Sequence, residues 1–471
     1  PAASGARLSR RARAGHHRLS GPAAPRLKGS DPVPTRRQLL LTTAAMGVAG
    51  VGVLSGCSRD RPVELGDGDK LRMRVWSEAA AAAYEDSLAD FTSSTGVEVE
   101  LEVLGWDDYW AQLPLDVAAE SLPDVLWMNT ANLAQAHASG QLLEVGEIVG
   151  DLSSRWEDAA TDLYRLEDGL WGVPQIWDQS ILVAHEGLVA AAEGDAAALT
   201  FDPEAPSDPL RDLARALTVD GGGLHPGEEG FDASSRATFG FSAHPDRTAV
   251  LGPFIAAQGG SWQGEDGAMT FASAEGIAAV QYLADLAADH LAPSGDETVG
   301  DPSLCRNLFV QGKLGLLQTG TYDLHTLAEE IGEDFEWGIH PVVAGPEGAR
   351  PLVHGIAAVG VEPRDDDRAA AVAELLRWLG DADGQRSLAE NRLGIPAHRE
   401  LHETWVDSWS EAGMDVSVLG VPETAAHPET GDRSAIATAT ALQVIADVFR
   451  GEVTAAEALP EAQQEARAAM G

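Results

Sequence analysis

The sequence predicts an α/β fold built on a parallel-type sheet. Three observations carry this: strand-like alternation at 71–76 and 97–103, helical spacing after each of those runs, and a buried apolar run at 125–128. Strands that alternate with helices imply a parallel sheet whose ligands sit at the carboxyl ends of the strands.

Apolar and basic side chains alternate in Leu71-Arg72-Met73-Arg74-Val75-Trp76, as a half-buried strand requires. Tyr84, Leu88 and Phe91 recur at helical spacing, and Gly96 can end that helix. Val97, Val99, Leu101 and Val103 then alternate with Glu98, Glu100 and Glu102 in a second strand. A helix over 107–120 shows Tyr109, Leu113 and Val117 on one face, with Pro114 predicting a kink. Pro123-Asp124 opens the strand Val125-Leu126-Trp127-Met128. Further helices are predicted near 210–217, 274–289, 325–331, 367–379, 383–391 and 434–450. Strands are predicted near 238–242, 314–318, 337–343 and 355–361, separated by loops rich in Gly, Pro, Asp and Glu.

With 471 residues, 44% of them hydrophobic, the chain can bury a large core spread over two or three domains. The net charge is −42, but residues 1–56 hold nine basic side chains and one acidic one, which leaves −50 for residues 57–471. Such a charge repels nucleic acid and anionic bilayers, so no nucleic-acid partner is expected. Two cysteines, Cys57 and Cys305, cannot form a disulfide framework, and Cys305 is expected to act as a small buried hydrophobe.

Residues 1–57 read as an export signal. Arg36-Arg37 precedes an apolar stretch from Leu39 to Leu54, too short to span a bilayer, and small residues follow. The arginine pair resembles a twin-arginine signal, and Leu54-Ser55-Gly56-Cys57 resembles a bacterial lipobox. That resemblance implies cleavage before Cys57, acylation of its thiol and a lipid anchor in the cell membrane. Residues 58–70 form a polar tether.

Several ordered stretches resemble a known family. They include Phe91-Thr-Ser-Ser-Thr-Gly-Val-Glu-Val-Glu, Gly105-Trp-Asp-Asp-Tyr-Trp and Ser121-Leu-Pro-Asp-Val-Leu-Trp-Met-Asn. They continue with Asp168-Gly-Leu-Trp-Gly-Val-Pro-Gln, Gly259-Gly-Ser-Trp, Phe309-Val-Gln-Gly-Lys-Leu-Gly and Gly394-Ile-Pro-Ala-His-Arg. In order over some 400 residues, they resemble the bacterial extracellular solute-binding proteins of family 1, the maltose- and oligosaccharide-binding lipoproteins of ABC importers. The resemblance implies a two-lobed periplasmic-binding-protein fold, type II-like and similar to maltose-binding protein, with a hinged ligand cleft. It implies lobe one at 70–175 and 356–405, and lobe two at 176–355 and 406–471. Three crossings are expected at Pro174–Asp178, His354–Ala357 and Arg399–Val406. The implied partners are a carbohydrate and the membrane permease subunits of an importer, the protein itself being a monomer. Two departures leave the ligand open: Val183-Ala184-His185-Glu186 replaces a Tyr-Asn-Lys element, and a Pro-Thr-Thr-Trp-like segment is missing near 200–210.

A sugar site needs aromatic plates for C–H faces and a few amides or carboxylates for hydroxyl edges. The chain carries 12 Trp against 5 Tyr and 10 Phe. Trp262, after two glycines, Trp177 at the first crossing and Tyr322 after a strand are the expected plates. Asp178, Asn129 and Asn132 are expected to read hydroxyls, with Trp76 and Glu78 after the first strand. Trp106 and Trp127 read as core or helix-start residues, and the other tryptophans as packing.

No Cys-x-x-Cys, His-Glu-x-x-His, Gly-x-Ser-x-Gly or phosphate-cradling loop occurs, so no enzyme activity, cofactor or metal is expected. The rival readings are a receptor of the same fold for a polyamine or sugar-phosphate, a secreted carbohydrate-active hydrolase, which needs two carboxylates across a glycosidic bond, and a surface sensor or adhesin.

Overall fold

A computed structural model describes residues 69–470, apart from 167, 168, 265, 364 and 432. The signal, Cys57 and most of the tether fall outside the described residues. The strands are β1 (Leu71–Val75), β2 (Val99–Val103), β3 (Val125–Asn129), β4 (Arg165–Leu166), β5 (Gly169–Leu170) and β6 (Val173–His185). They continue with β7 (Val219–Asp220), β8 (Arg236–Phe241), β9 (Leu314–Gly320), β10 (Trp337–His340), β11 (Val353–Gly360) and β12 (Ile395–Pro396). Ten of these form one sheet in the order β2-β1-β3-β11-β6-β9-β8-β7, with β10 and β12 also paired to β6. The parallel pairs expected at the N-terminus are present, Leu71 opposite Val99 and Met73 opposite Val125.

Helices form where the apolar spacing requires them, at Glu78–Thr95, Pro209–Leu217, Ala274–Ala288, Leu324–Ile331, Asp366–Gly380, Ala382–Glu390 and Ser434–Phe449. Local chemistry sets their ends. The Ser77 hydroxyl accepts from the Ala80 amide at the start of the first helix, and Gly96 closes it at φ 82°.

β6 departs most from the sequence reading. A crossing was expected at Pro174–Asp178, and thirteen residues run through there in one strand that the sequence does not show, all buried except His185. Residues 173–179 pair with β11, and residues 180–184 pair with β9, so the change of partner falls between Gln179 and Ser180. Four polar positions within 175–180 hide this strand in the sequence, yet each finds an internal partner. Gln175 donates to Val173, Pro174 and Leu379 carbonyls, Asp178 accepts from Thr321, and Gln179 and Ser180 donate to Gly420 and Thr248 carbonyls. Buried polar groups that are satisfied in this way do not break a strand.

Three cores flank the sheet. Lobe one packs Leu71, Met73, Tyr84, Phe91, Trp127, Trp156 and Leu375 together. Lobe two packs Phe241, Phe254, Tyr282, Leu316 and the C-terminal helices Ser434–Phe449 and Ala455–Met470. The third core joins Trp177, Ile181 and Val183 of β6 to Phe309, Leu317, Trp405 and Trp409. Residues 395–411 therefore bind the crossing strand directly: β12 pairs with Ile176 and Trp177, and the helix His402–Glu411 brings in Trp405 and Trp409.

Candidate functional site in the interlobe cleft

The carboxyl ends of β1, β2 and β3 in one lobe and of β8 and β9 in the other carry the chemistry of the cleft. On the lobe-one side, five aromatic residues form a contiguous platform. Trp76, next after β1, touches Trp106 at 5.4 Å, Tyr109 at 5.1 Å, Trp110 at 5.4 Å and Trp127 at 5.1 Å between ring centroids. Tyr109 donates to the Trp127 carbonyl (2.6 Å), and the Trp127 indole N–H donates to Tyr84 (3.2 Å). The lower rings are held by packing and hydrogen bonds, while Trp106 remains 52% exposed above them.

Trp106 forms one wall of a cavity of ≈ 360 Å³ whose other wall comes from lobe two, with His244, Asp246, Arg306, Tyr322 and Asp323. Tyr322 is 40% exposed here. A Cβ on Gly320 would stand 2.0 Å from its ring, so glycine at the end of β9 lets the phenol fold against the strand. Desolvation around its hydroxyl, then Asp246 and Asp323, push the phenol well above its ordinary pKa, so it is a neutral hydroxyl that both donates and accepts. Asp323 accepts from Thr319 (2.6 Å) and pairs with Arg306 (3.3 Å), yet burial raises its carboxyl. Asp246 caps the helical turn Arg247–Leu251 by accepting from the Ala249 amide. Burial disfavours the charged form of His244, but Cys305 and Asp246 outweigh it and hold the imidazole up to about 9.

β6 and β11 pair beside this cavity, behind Thr321 and Tyr322, without lining it. Asp178 and His354 are register partners there. Asp178 is 1% exposed and accepts from the Thr321 hydroxyl at 2.8 Å, and burial raises its pKa. His354 lies 5.6 Å from Tyr322, its Nε2 is buried without a partner, and burial lowers its pKa.

Residues 75–386 match the family described as bacterial extracellular solute-binding protein. The chain belongs to that family. Among solved structures, UspC of M. tuberculosis is 31% identical over 85% of this chain and 100% of its own, with a TM-score of 0.70. Two further similar structures are Lmo0181 of Listeria monocytogenes in complex with cycloalternan and maltose-bound MalE3 of T. maritima. The first is 18% identical over 86% of this chain and 100% of its own, with a TM-score of 0.70. The second is 17% identical over 84% of this chain and 99% of its own, with a TM-score of 0.68. The fold is thus the two-lobed one of maltose-binding-protein-like solute-binding proteins.

In this solute-binding protein the residues singled out from sequence divide into two groups. Tyr322 lines the cavity, Trp76 packs beneath Trp106 of its wall, Asp178 is buried behind Thr321, and Glu78 is exposed in the helix turn after Trp76. Asn129 and Asn132 bond each other: the Asn129 side-chain oxygen Oδ1 accepts from the Asn132 backbone amide (3.0 Å) and side-chain amide (2.8 Å), which caps the next helix. Trp177 is 1% exposed in the third core, so it shows no face to the cleft. Trp262 is 3% exposed, stacked on Phe271 at 4.5 Å, bonded to Thr438 and covered by the Arg247 guanidinium at 4.8 Å. The glycines before it end a helix: the Gly259 amide donates to the Ala256 carbonyl, and its φ is 96°. Trp106, read from the sequence as a core or helix-start residue, does open its helix but keeps its ring in the cavity wall, and His244, Asp246, His354, Arg306 and Asp323 have no role in the sequence reading. All but Arg306 and His354 follow the carboxyl end of a strand, so the strand-end rule extended to 238–242 finds His244 and Asp246.

Burial holds His354 and His398 neutral, the latter 0% exposed with neither ring nitrogen bonded. Their folded pKa values lie below 6.5, so the unfolded chain binds more protons in the window beneath that value. Their stabilisation is complete above pH 6.5 and is lost as pH falls through that window. Asp178 and Asp323, raised above 3.8, act in the opposite sense at lower pH. The melting temperature is expected to drop as pH falls below 6.5, and His398→Gln to flatten that slope in a thermal scan.

Proposed function

We propose that this protein is the exported, lipid-anchored receptor of an ABC importer, which captures a mono- to oligosaccharide without altering it and presents it to the permease subunits. The observation that carries this reading is the interlobe cavity, with an exposed indole from one lobe facing a phenol and paired polar groups from the other. A sugar ring can lie against Trp106 and Tyr322 while Asp323, Arg306 and Asp246 read its hydroxyls. Neighbours of the same fold bound to maltose and cycloalternan support a carbohydrate in such a cleft. We assign lobe one to 70–175 and 356–405 and lobe two to 176–355 and 406–471, which close as rigid bodies about the crossing strands. Among the described residues no helix is long and apolar enough to cross a membrane, and attachment through lipid on Cys57 fits the Leu54-Ser55-Gly56-Cys57 sequence. The basic n-region with Arg36-Arg37 fits export by the twin-arginine route.

Calorimetry against a panel of mono- to oligosaccharides is expected to find a binder that chromatography recovers intact. Absence of binding across the panel, or cleavage of the sugar, overturns the reading. Mass spectrometry of protein from native membranes is expected to show lipidated Cys57 as the first residue, and Cys57→Ala to release the protein into the medium.

A further inference from the structure

A second cavity between the lobes narrows the solute further, on the reading just given. Its volume is ≈ 460 Å³, against ≈ 360 Å³ for the cavity walled by Trp106 and Tyr322. Leu133, Leu163 and Leu166 line it from lobe one, and Val421, Pro422 and Ala425 line it from the loop that precedes the helix Ser434–Phe449 of lobe two. A group held there touches both lobes, so the closure that grips the sugar grips it too.

These walls are not made to read a sugar. No Trp, Tyr or Phe lines this cavity among the described residues, so it offers no plate. Most of its polar side chains are engaged within the protein. The Thr130 hydroxyl accepts from the Gly355 amide at 3.0 Å, and Asp162 and Arg165 pair at 3.2 Å. The Gln263 side chain accepts from the Thr430 amide (2.7 Å) and donates to the carbonyls of Gly267 (2.6 Å) and Thr430 (2.9 Å). Sugar hydroxyls enclosed by such walls would go unpaired, a penalty that an apolar group avoids. An empty cavity has a cost of its own, because apolar walls around a void forfeit their contacts on one side.

The layout indicates that the apolar occupant arrives with the sugar. Asp246 lines the sugar cavity, and the next residue, Arg247, lines a third cavity of ≈ 350 Å³. That third cavity shares Gln263, Ala425, Ala426 and His427 with the apolar one, so the three adjoin through these residues. Arg247 stands at the junction. Its charge is met by Glu429 at 3.1 Å, so it calls for no anion, yet its Nε and Nη1 are buried without a partner. Gly252, in the same lining, makes the room, since a Cβ there would run into Nη1. Free N–H groups of this kind suit neutral oxygens such as those of a glycosidic link.

We propose that the solute is a glycoside with an apolar aglycone. Its sugar lies between Trp106 and Tyr322, its linking oxygens take the free N–H groups of Arg247, and its apolar group fills the cavity between Leu133, Leu163, Leu166 and Val421.

The test is calorimetry on the purified full mature chain with methyl, butyl, hexyl and octyl β-glycosides of glucose, galactose and maltose, all below their micelle concentrations. Octan-1-ol, which lacks the sugar, is the control. With at least one sugar, affinity is expected to rise by up to about fourfold per buried methylene and at least about tenfold from methyl to octyl. Octan-1-ol is expected not to bind. The octyl-to-methyl ratio is then taken within each variant, so that any change in sugar binding cancels. Ala134→Leu fills the cavity from the helix Thr130–His137 and is expected to bring that ratio near one. Val421→Asp, at a position 51% exposed, puts a charge in the same wall with the same expectation, and decides the matter if Ala134→Leu loses its fold. A ratio near one in the unaltered protein, or a high ratio that persists in the folded variants, overturns the proposal and leaves the carbohydrate receptor intact. Octan-1-ol that binds as tightly as the octyl glycosides overturns it as well, because the chain then binds without its sugar. No binding by any glycoside removes the carbohydrate reading and this proposal with it.

Discussion

Trp106→Ala is expected to weaken solute binding about tenfold or more, the loss that follows from removing one aromatic plate worth roughly 1–3 kcal/mol. Its fold is expected to survive. Trp106 is half exposed and meets its neighbours only at ring edges, with centroids 5.4 Å from Trp76 and from Trp110. Edge contacts of this kind contribute about 0.5–1.5 kcal/mol when fully buried, and less for a ring that is half in solvent. Tyr322→Ala on the facing lobe should cost a similar factor, and also removes the phenol that lies against Gly320 and His354. Affinity by calorimetry and melting temperature have to be measured on the same variant. A drop in melting temperature with unchanged affinity would make Trp106 a lid for the aromatic platform rather than part of the site. Trp127→Ala provides the contrast: at 2% exposure beneath the platform, it should cost about 3–5 kcal/mol of stability before it costs affinity.

The contrast between those two tryptophans also explains how much of the molecule the sequence reveals. The alternation at 71–76 and 97–103 and the helical spacing after each run report which faces are buried, so the N-terminal βαβαβ unit is legible residue by residue. Ordered family stretches extend the same reading to both lobes. β6 is not legible, because Gln175, Asp178, Gln179 and Ser180 look like a polar break until their partners from distant segments are in place. The site follows the same division. Position at a strand end, a local property, marks Trp76, Glu78 and Tyr322. Exposure of an individual tryptophan is not local. Trp262 follows a glycine pair that suggests a loop presenting its ring, yet Phe271, Thr438 and Arg247 arrive from elsewhere to cover it. Trp106 precedes Asp107-Asp108, which suggest a helix start, and Trp76 and Trp110 fill the space beneath it and leave its ring in the cleft.

The second large effect is expected at Gln175, where the first crossing enters the sheet. Gln175 is 0% exposed, and its carbonyl oxygen accepts from the Tyr84 hydroxyl at 2.7 Å. Its amide reaches the Val173 carbonyl at 3.0 Å and the Leu379 carbonyl at 3.0 Å, and its backbone carbonyl accepts from the Ala397 amide at 3.1 Å. Gln385, also 0% exposed, completes the junction by donating to the Pro174 carbonyl and accepting from the His398 amide. Two glutamines therefore fasten β6, the helix Asp366–Gly380 and residues 397–398 at one buried point. Tyr84 continues the line through Trp127 to the aromatic platform under Trp106. Gln175→Leu keeps the volume but strands the Tyr84 hydroxyl and the Val173 carbonyl, each a buried group whose desolvation costs about 1–3 kcal/mol. The expected loss is roughly 2–5 kcal/mol, visible as a lower midpoint in urea with the slope unchanged. Gln175→Glu keeps an acceptor for Tyr84 but places a carboxylate opposite the Val173 and Leu379 carbonyls, and should lose at least as much at neutral pH. If Gln175→Leu unfolds at the wild-type midpoint, the junction is not what fastens the lobes. If it loses stability, the affinity of the folded fraction then measures how far the junction also sets the aromatic platform, which Tyr84 and Trp127 link to it by hydrogen bonds and ring contacts.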